Sequence, residues 1–174
     1  MPRRKADHLQ TEPGNSDGDS PGGDNLEIVN GGRLQDTPAC EILWDSILSA
    51  PDGRKVFAVG SDDNHYKEAN VGRGWIMVNA DSLTKSDILK SIRNGDFYAT
   101  TGVILSNYQV KGNIINIEAE NGDRIEFIGK NGTLLKKFEG NKAKYRLKPK
   151  DYYVRIKVMN AEGKAAWTQP VFAD

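Results

Sequence analysis

The sequence predicts an α/β region followed by an all-β module, and three observations carry that reading. Up to about Gly102, apolar runs of strand length alternate with stretches of helical periodicity. Beyond that point short strands are separated by turn signals at Lys111-Gly112, Asn121-Gly122-Asp123, Asn131-Gly132, Gly140-Asn141 and Glu162-Gly163. Ahead of both, the chain is rich in Gly, Pro, Asp and Ser with almost no apolar pattern, the composition of a flexible arm that a ligand or metal would have to order. The expected division is therefore an arm over 1–25, an α/β region over 26–102 and an antiparallel, sandwich-like β domain over 103–174.

Each element has its own signal. Leu26 to Val29 is a short apolar strand stopped by Asn30-Gly31-Gly32. Asp36 or Thr37 offers a cap and Pro38 an early helical position for a helix with the apolar stripe Cys40, Leu43, Trp44, Ile47 and Leu48, ended by Pro51-Asp52-Gly53. Val56 to Val59 and Trp75 to Val78 read as buried strands. Thr84 and Asp87 form a variant capping box with Leu83 and Ile88 at the staple positions, opening a helix over 85–94 that Gly95 closes. Phe97 to Ala99 follows as a strand. The expectation is one parallel sheet of the strands at 26, 56 and 75, with both helices laid on it. In the β module, Ile114 to Ile117 alternates, and Val154, Ile156 and Val158 oppose Tyr153, Arg155 and Lys157, which predicts one packed face and one wet face.

Composition narrows the function. The 174 residues carry 24 cationic and 24 acidic side chains, so no global field draws in nucleic acid or an anionic membrane. The apolar runs fall far short of a membrane span and Met1 to Lys5 leads into no apolar leader, so the sequence reads as cytoplasmic. A lone cysteine, Cys40, sits among Ile42, Leu43 and Ile47 as a packing residue. Trp44, Trp75 and Trp167 read as core anchors. The alternating cations Lys142, Lys144, Arg146, Lys148 and Lys150 read as a solvated edge that discourages aggregation, and no aromatic ladder accompanies them.

The polar string Gly60-Ser61-Asp62-Asp63-Asn64-His65 directly follows the strand at 56, where chemistry collects in α/β folds. Asp63 and His65, two apart in an extended segment, can face one metal ion. With their flanks, Leu26-Glu27-Ile28-Val29-Asn30, Leu43-Trp44-Asp45, Gly72-Arg73-Gly74-Trp75 and Phe97-Tyr98-Ala99-Thr100-Thr101-Gly102, they resemble the C-terminal half of a phosphoesterase of the polymerase and histidinol phosphatase (PHP) family. Tyr153-Val154-Arg155 and Gly163 to Pro170 resemble the tail of a bacterial branch of that family. Ala6-Asp7-His8-Leu9-Gln10-Thr11 and Ser16-Asp17-Gly18 resemble its opening motif, with Gln10 where the second histidine stands and no counterpart of the intervening barrel and its Thr-Asp-His motif.

The resemblance implies a partial distorted (β/α) barrel, made of its closing strands and helices, ahead of the β domain. It implies hydrolysis of a small phosphorylated substrate by water activated on divalent manganese, zinc or iron. Asp63 and His65 are the implied ligands, with His8, Asp17 and Glu27 as further candidates, while Arg73, between two glycines just after this string, reads equally as a side chain that binds two phosphate oxygens and as a turn residue covering Trp75. Asp62 is expected to be a neighbour and not a ligand. Ligands missing from the chain could come from a second copy in a homo-oligomer. The alternative is a non-catalytic scaffold or binding module whose β domain carries an interaction surface.

Overall fold

A computed structural model describes residues 24–52, 54–65 and 71–173. The arm, including His8 and Asp17, lies outside the described residues. The chain runs β1 (Asp24–Asn30), α1 (Thr37–Leu48), β2 (Val56–Ser61), β3 (Trp75–Val78), α2 (Lys85–Asn94) and β4 (Phe97–Thr100). Eight more strands follow: β5 (Leu105–Lys111), β6 (Ile114–Ala119), β7 (Arg124–Gly129), β8 (Thr133–Glu139), β9 (Lys142–Arg146), β10 (Tyr153–Met159), β11 (Ala165–Thr168) and β12 (Val171–Phe172).

β1 and β2 pair in parallel, with α1 as the crossover, as expected for a β-α-β unit. The third expected member is not in that sheet. β3 pairs antiparallel with β4, from Trp75 opposite Thr100 to Val78 opposite Phe97. The reason is local: the Asn79 N–H donates to the Asp96 carbonyl at 2.8 Å, so the end of β3 and the start of β4 lie side by side, as in a hairpin. The α2 helix is an insertion in that hairpin loop, tied by the Ser91 hydroxyl to the Asn79 carbonyl. A helix between two apolar runs reads in sequence as a parallel crossover, and the turn bonds decide otherwise.

β3 and β4 open a seven-stranded sheet ordered β3-β4-β11-β10-β7-β8, with β12 paired to β10, so its pairing runs across residue 102 into the C-terminal strands. β5, β6 and β9 form a separate three-stranded antiparallel sheet. Ile115, Ile117 and Tyr145 of that small sheet share one core with Ile125, Phe127, Val154, Ile156 and Val158 of the large one, giving the sandwich-like part. Among the described residues the strands close no barrel.

The opposite face of the large sheet is covered as well. Trp44 and Leu48 of α1, Ile28 and Val29 of β1 and Ala58 of β2 pack on Tyr153, Ala165 and Trp167. The face of β10 expected to be wet is therefore buried, and Arg155 is only 2% exposed. Glu41 and Asp45 of α1 turn inward to meet it, while Leu43, expected in the apolar stripe, points out at 51% exposure. Arg155 donates to both oxygens of Asp45, at 2.7 Å from Nε and 2.6 Å from Nη2, and its guanidinium lies over the Trp44 ring. Burial works against the charged guanidinium, yet the bonds to Asp45 outweigh it and hold its pKa above the ordinary value. Tyr153 donates to Asp45 Oδ1 at 2.8 Å, and Lys157 to Glu41 at 2.5 Å.

Two small devices fix the rest. The Asp87 N–H donates to Thr84 Oγ1, and Gly95 takes the left-handed conformation at φ 79, so α2 is capped at both ends as expected. The staple is not formed, since Leu83 is 97% exposed, and Asp36 makes no side-chain cap for α1. Trp44 and Trp167 are core residues, whereas Trp75 is half-buried.

Candidate functional site

Because β1 and β2 are parallel, their carboxyl ends lie together, Asn30 opposite Ser61. The register shifts between Glu27 and Val29, an irregularity of the kind that re-aims side chains at a strand end. The backbones then close on each other: the Gly31 N–H donates to the Ser61 carbonyl at 2.7 Å, and a Cβ on Gly31 would lie 2.7 Å from the Asp62 carbonyl oxygen. Glycine is required at position 31 by that approach.

On this platform the polar side chains form one chain of hydrogen bonds. The Ser61 hydroxyl donates to Glu27 Oε1. Asn30 Nδ2 donates to Glu27 Oε2 at 3.1 Å and to Asp63 Oδ2 at 3.2 Å. His65 Nε2 lies 2.8 Å from Asp63 Oδ1. Asp63 and His65 thus share one locus, in a bent segment and not the extended one expected, and Asn30 links Glu27 to it. Asp63 holds a positive φ of 48, a conformation that non-glycine residues keep only when their surroundings fix it. The Asn30 amide, and after it His65, hold the Asp63 carboxyl below the ordinary carboxylate range. The His65 side chain is 83% exposed and Asp63 35%, so the pair faces solvent.

Asp62 does different work. Its carboxylate accepts the backbone N–H groups of Gly72 (2.9 Å), Arg73 (2.7 Å) and Gly74 (2.9 Å), and these bonds, that of Gly74 foremost, lower its pKa. It is the neighbour expected, and it pins the Gly72-Arg73-Gly74 loop beside the site through the loop's backbone. Gly74 in turn sits against Ser61, where a Cβ would come within 2.8 Å of the carbonyl oxygen.

Asn30 and Ser61 are the site residues that sequence reasoning passes over. Asn30 reads as a strand stop, and its role follows only from the parallel pairing that places it opposite Ser61 and within reach of Asp63.

One carboxylate and one imidazole suit a borderline divalent ion such as zinc or manganese as two members of its ligand set. Glu27 is held one residue away, through Asn30. Among the described residues no group of three or more His, Cys, Asp or Glu is placed to hold a metal ion. Compared with family models, with curated proteins and with solved structures, the chain finds no match in any of the three. No helix among the described residues is long and apolar enough to cross a membrane.

Proposed function

We propose that the chain is a metal-dependent phosphoesterase of the PHP type, hydrolysing a small phosphorylated substrate in the cytoplasm on a partial (β/α) barrel platform. The observation that supports this best is the Asp63–His65 pair at the carboxyl ends of the parallel strands, with Asp63 kept ionised by Asn30 and fixed at positive φ. Bound manganese, zinc or iron would supply Lewis acidity and lower the pKa of its water. Asp63 and His65 would hold the metal, Asn30 would orient Asp63 from behind, and Glu27 with Ser61 would hold Asn30 in place. Asp62 would keep the Arg73 loop at the rim through its backbone, where the Arg73 guanidinium would serve a phosphoryl oxygen. The remaining ligands fall to His8 and Asp17 of the arm or to a second copy of the chain.

The test is phosphate release from an aryl phosphate with added manganese. The wild type should turn over, and His65→Ala, exposed and therefore structurally mild, should lose that turnover with its unfolding midpoint unchanged. Equal turnover in the variant would overturn the assignment. A second reading, a scaffold without chemistry, is favoured because the described residues bring together two metal donors, Asp63 and His65, where hydrolytic sites use three or more. Metal-independent folding with no turnover in the wild type would support it.

A further inference from the structure

The two sheets of the sandwich-like part are unequal: three strands lie over a large sheet of seven, and their two edges can be located on it. Tyr145 of β9 stacks on Phe127 of β7 at 4.9 Å, which fixes one edge. At the other, the Leu105 N–H of β5 donates to the Tyr98 hydroxyl of β4 at 3.1 Å, and the Tyr108 hydroxyl meets the Thr168 side chain of β11. Thr168, Tyr98 and Met77 are successive cross-strand partners and so share one face, with Met77 on β3, one strand beyond the cover of β5. β3 is therefore a ledge whose inner face, carrying Met77 and Trp75, the small sheet leaves open. Exposure agrees. Met77 is 37% exposed, and so is 40% of Val110, which stands opposite the buried Ile115 on the inner face of β5.

An open strand edge runs along that ledge. The β5–β6 hairpin turns through Gly112-Asn113 and closes on Lys111 opposite Ile114, so Lys111 and Gln109 exchange hydrogen bonds with β6, while the N–H and C=O groups of Tyr108 and Val110 point away from it. Among the described residues no strand lies beyond β5 to receive them. Such an edge is a template for one more strand, and a strand added there would lie over β3. The outer face of the small sheet supplies charge. Lys111, Lys144 and Arg146 stand on it, and its acid, Glu118, is bonded to Lys142 at 2.8 Å.

We propose that the β5 edge and the β3 ledge receive one extended peptide segment of another protein, apolar at the positions opposite Tyr108 and Val110, which fall toward Met77 and Trp75, and acidic at the position opposite Lys111. A second copy pairing through its own β5 does not fit. Antiparallel pairing keeps the inner faces on the same side, so the copy's β4 and β11 would need the space that β3 of this chain fills. The arm ahead of β1 has no alternating apolar residues to serve as the strand. The surface shares no residue with Glu27, Asn30, Ser61, Asp63 or His65, so it stands apart from the phosphoesterase reading.

The test is a nuclear magnetic resonance titration of the ¹⁵N-labelled full chain with a capped peptide of alternating valine and glutamate, and separately with one of alternating valine and lysine. The Tyr108 and Val110 amides should exchange freely in the chain alone, then shift saturably and gain protection with the glutamate peptide. Val110→Pro removes a donor that faces the open edge and not β6, so its unfolding midpoint should hold while binding is lost. Met77→Lys, at an exposed position, should weaken binding about tenfold, the worth of one apolar anchor. No saturable shift with the glutamate peptide, or unchanged affinity in Met77→Lys or in folded Val110→Pro, would overturn the proposal, and equal binding of the lysine peptide would overturn its acidic part. Protection of the Tyr108 and Val110 amides without peptide, rising with protein concentration, would overturn it in favour of a second copy.

Discussion

Replacing Gln169 by Leu should cost the fold about 1–5 kcal/mol although Gln169 belongs to no strand or helix. Its side-chain amide acts as a missing strand. Oε1 accepts the Ala58 N–H at 2.8 Å and Nε2 donates to the Ala58 carbonyl at 2.9 Å, so both backbone groups on the open edge of β2 are paired. Ala58 is 0% exposed and Gln169 6%, so water cannot take over. Each buried backbone group left unpaired costs roughly 1–3 kcal/mol, and the added apolar contact of Leu recovers about 1 kcal/mol. For a chain of this size that is a fall in Tm of roughly 2–20 °C. Urea unfolding of Gln169→Leu against the exposed control Gln109→Leu on β5 measures it. A difference within about 0.5 kcal/mol would refute the idea that this one amide fastens the β1–β2 pair, and with it the candidate site, to the β strands.

Three further outcomes follow from the same geometry. Arg155→Met should destabilise by about 3–5 kcal/mol, because it leaves Asp45 buried without a counter-ion while Glu41 keeps Lys157, and Arg155→Met with Asp45→Leu should recover much of the loss in the same urea assay. Gly31→Ala should cost about 1–3 kcal/mol, since its Cβ would force the Asp62 carbonyl away, and thermal unfolding checks it. Stability should fall as pH drops below the ordinary aspartate value of 3.8, because Asp62 is lowered in the folded chain: the unfolded state binds the proton first, so the contribution is full above 3.8 and lost as pH falls through the lowered value. Asp62→Asn should flatten that acid limb, and an unchanged slope would show that Asp62 is not the linked group.

The strands and helices were legible in the sequence because each carries a local signal: apolar runs, the Thr84 cap, Gly95 after α2. What pairs with what was not. The hairpin that carries α2 rests on the Asn79–Asp96 bond, and nothing in the apolar pattern distinguishes it from a parallel crossover. The covered face of β10 was hidden for a related reason. Arg155 and Lys157 look like solvent residues until Asp45 and Glu41, more than a hundred positions away, are brought against them. In the site, the spacing of Asp63 and His65 allowed a shared locus, and only the resemblance of their flanks singled them out from an ordinary polar loop. Asn30 needed the parallel register, and Asp62 needed the loop that folds back over it.

The most direct test of the central claim is a calorimetric titration of the metal-free protein with manganese, run on the wild type and on Asp63→Ala. The account predicts stoichiometric binding by the wild type and its loss in the variant. Equal binding in both, or none by the wild type, would contradict it.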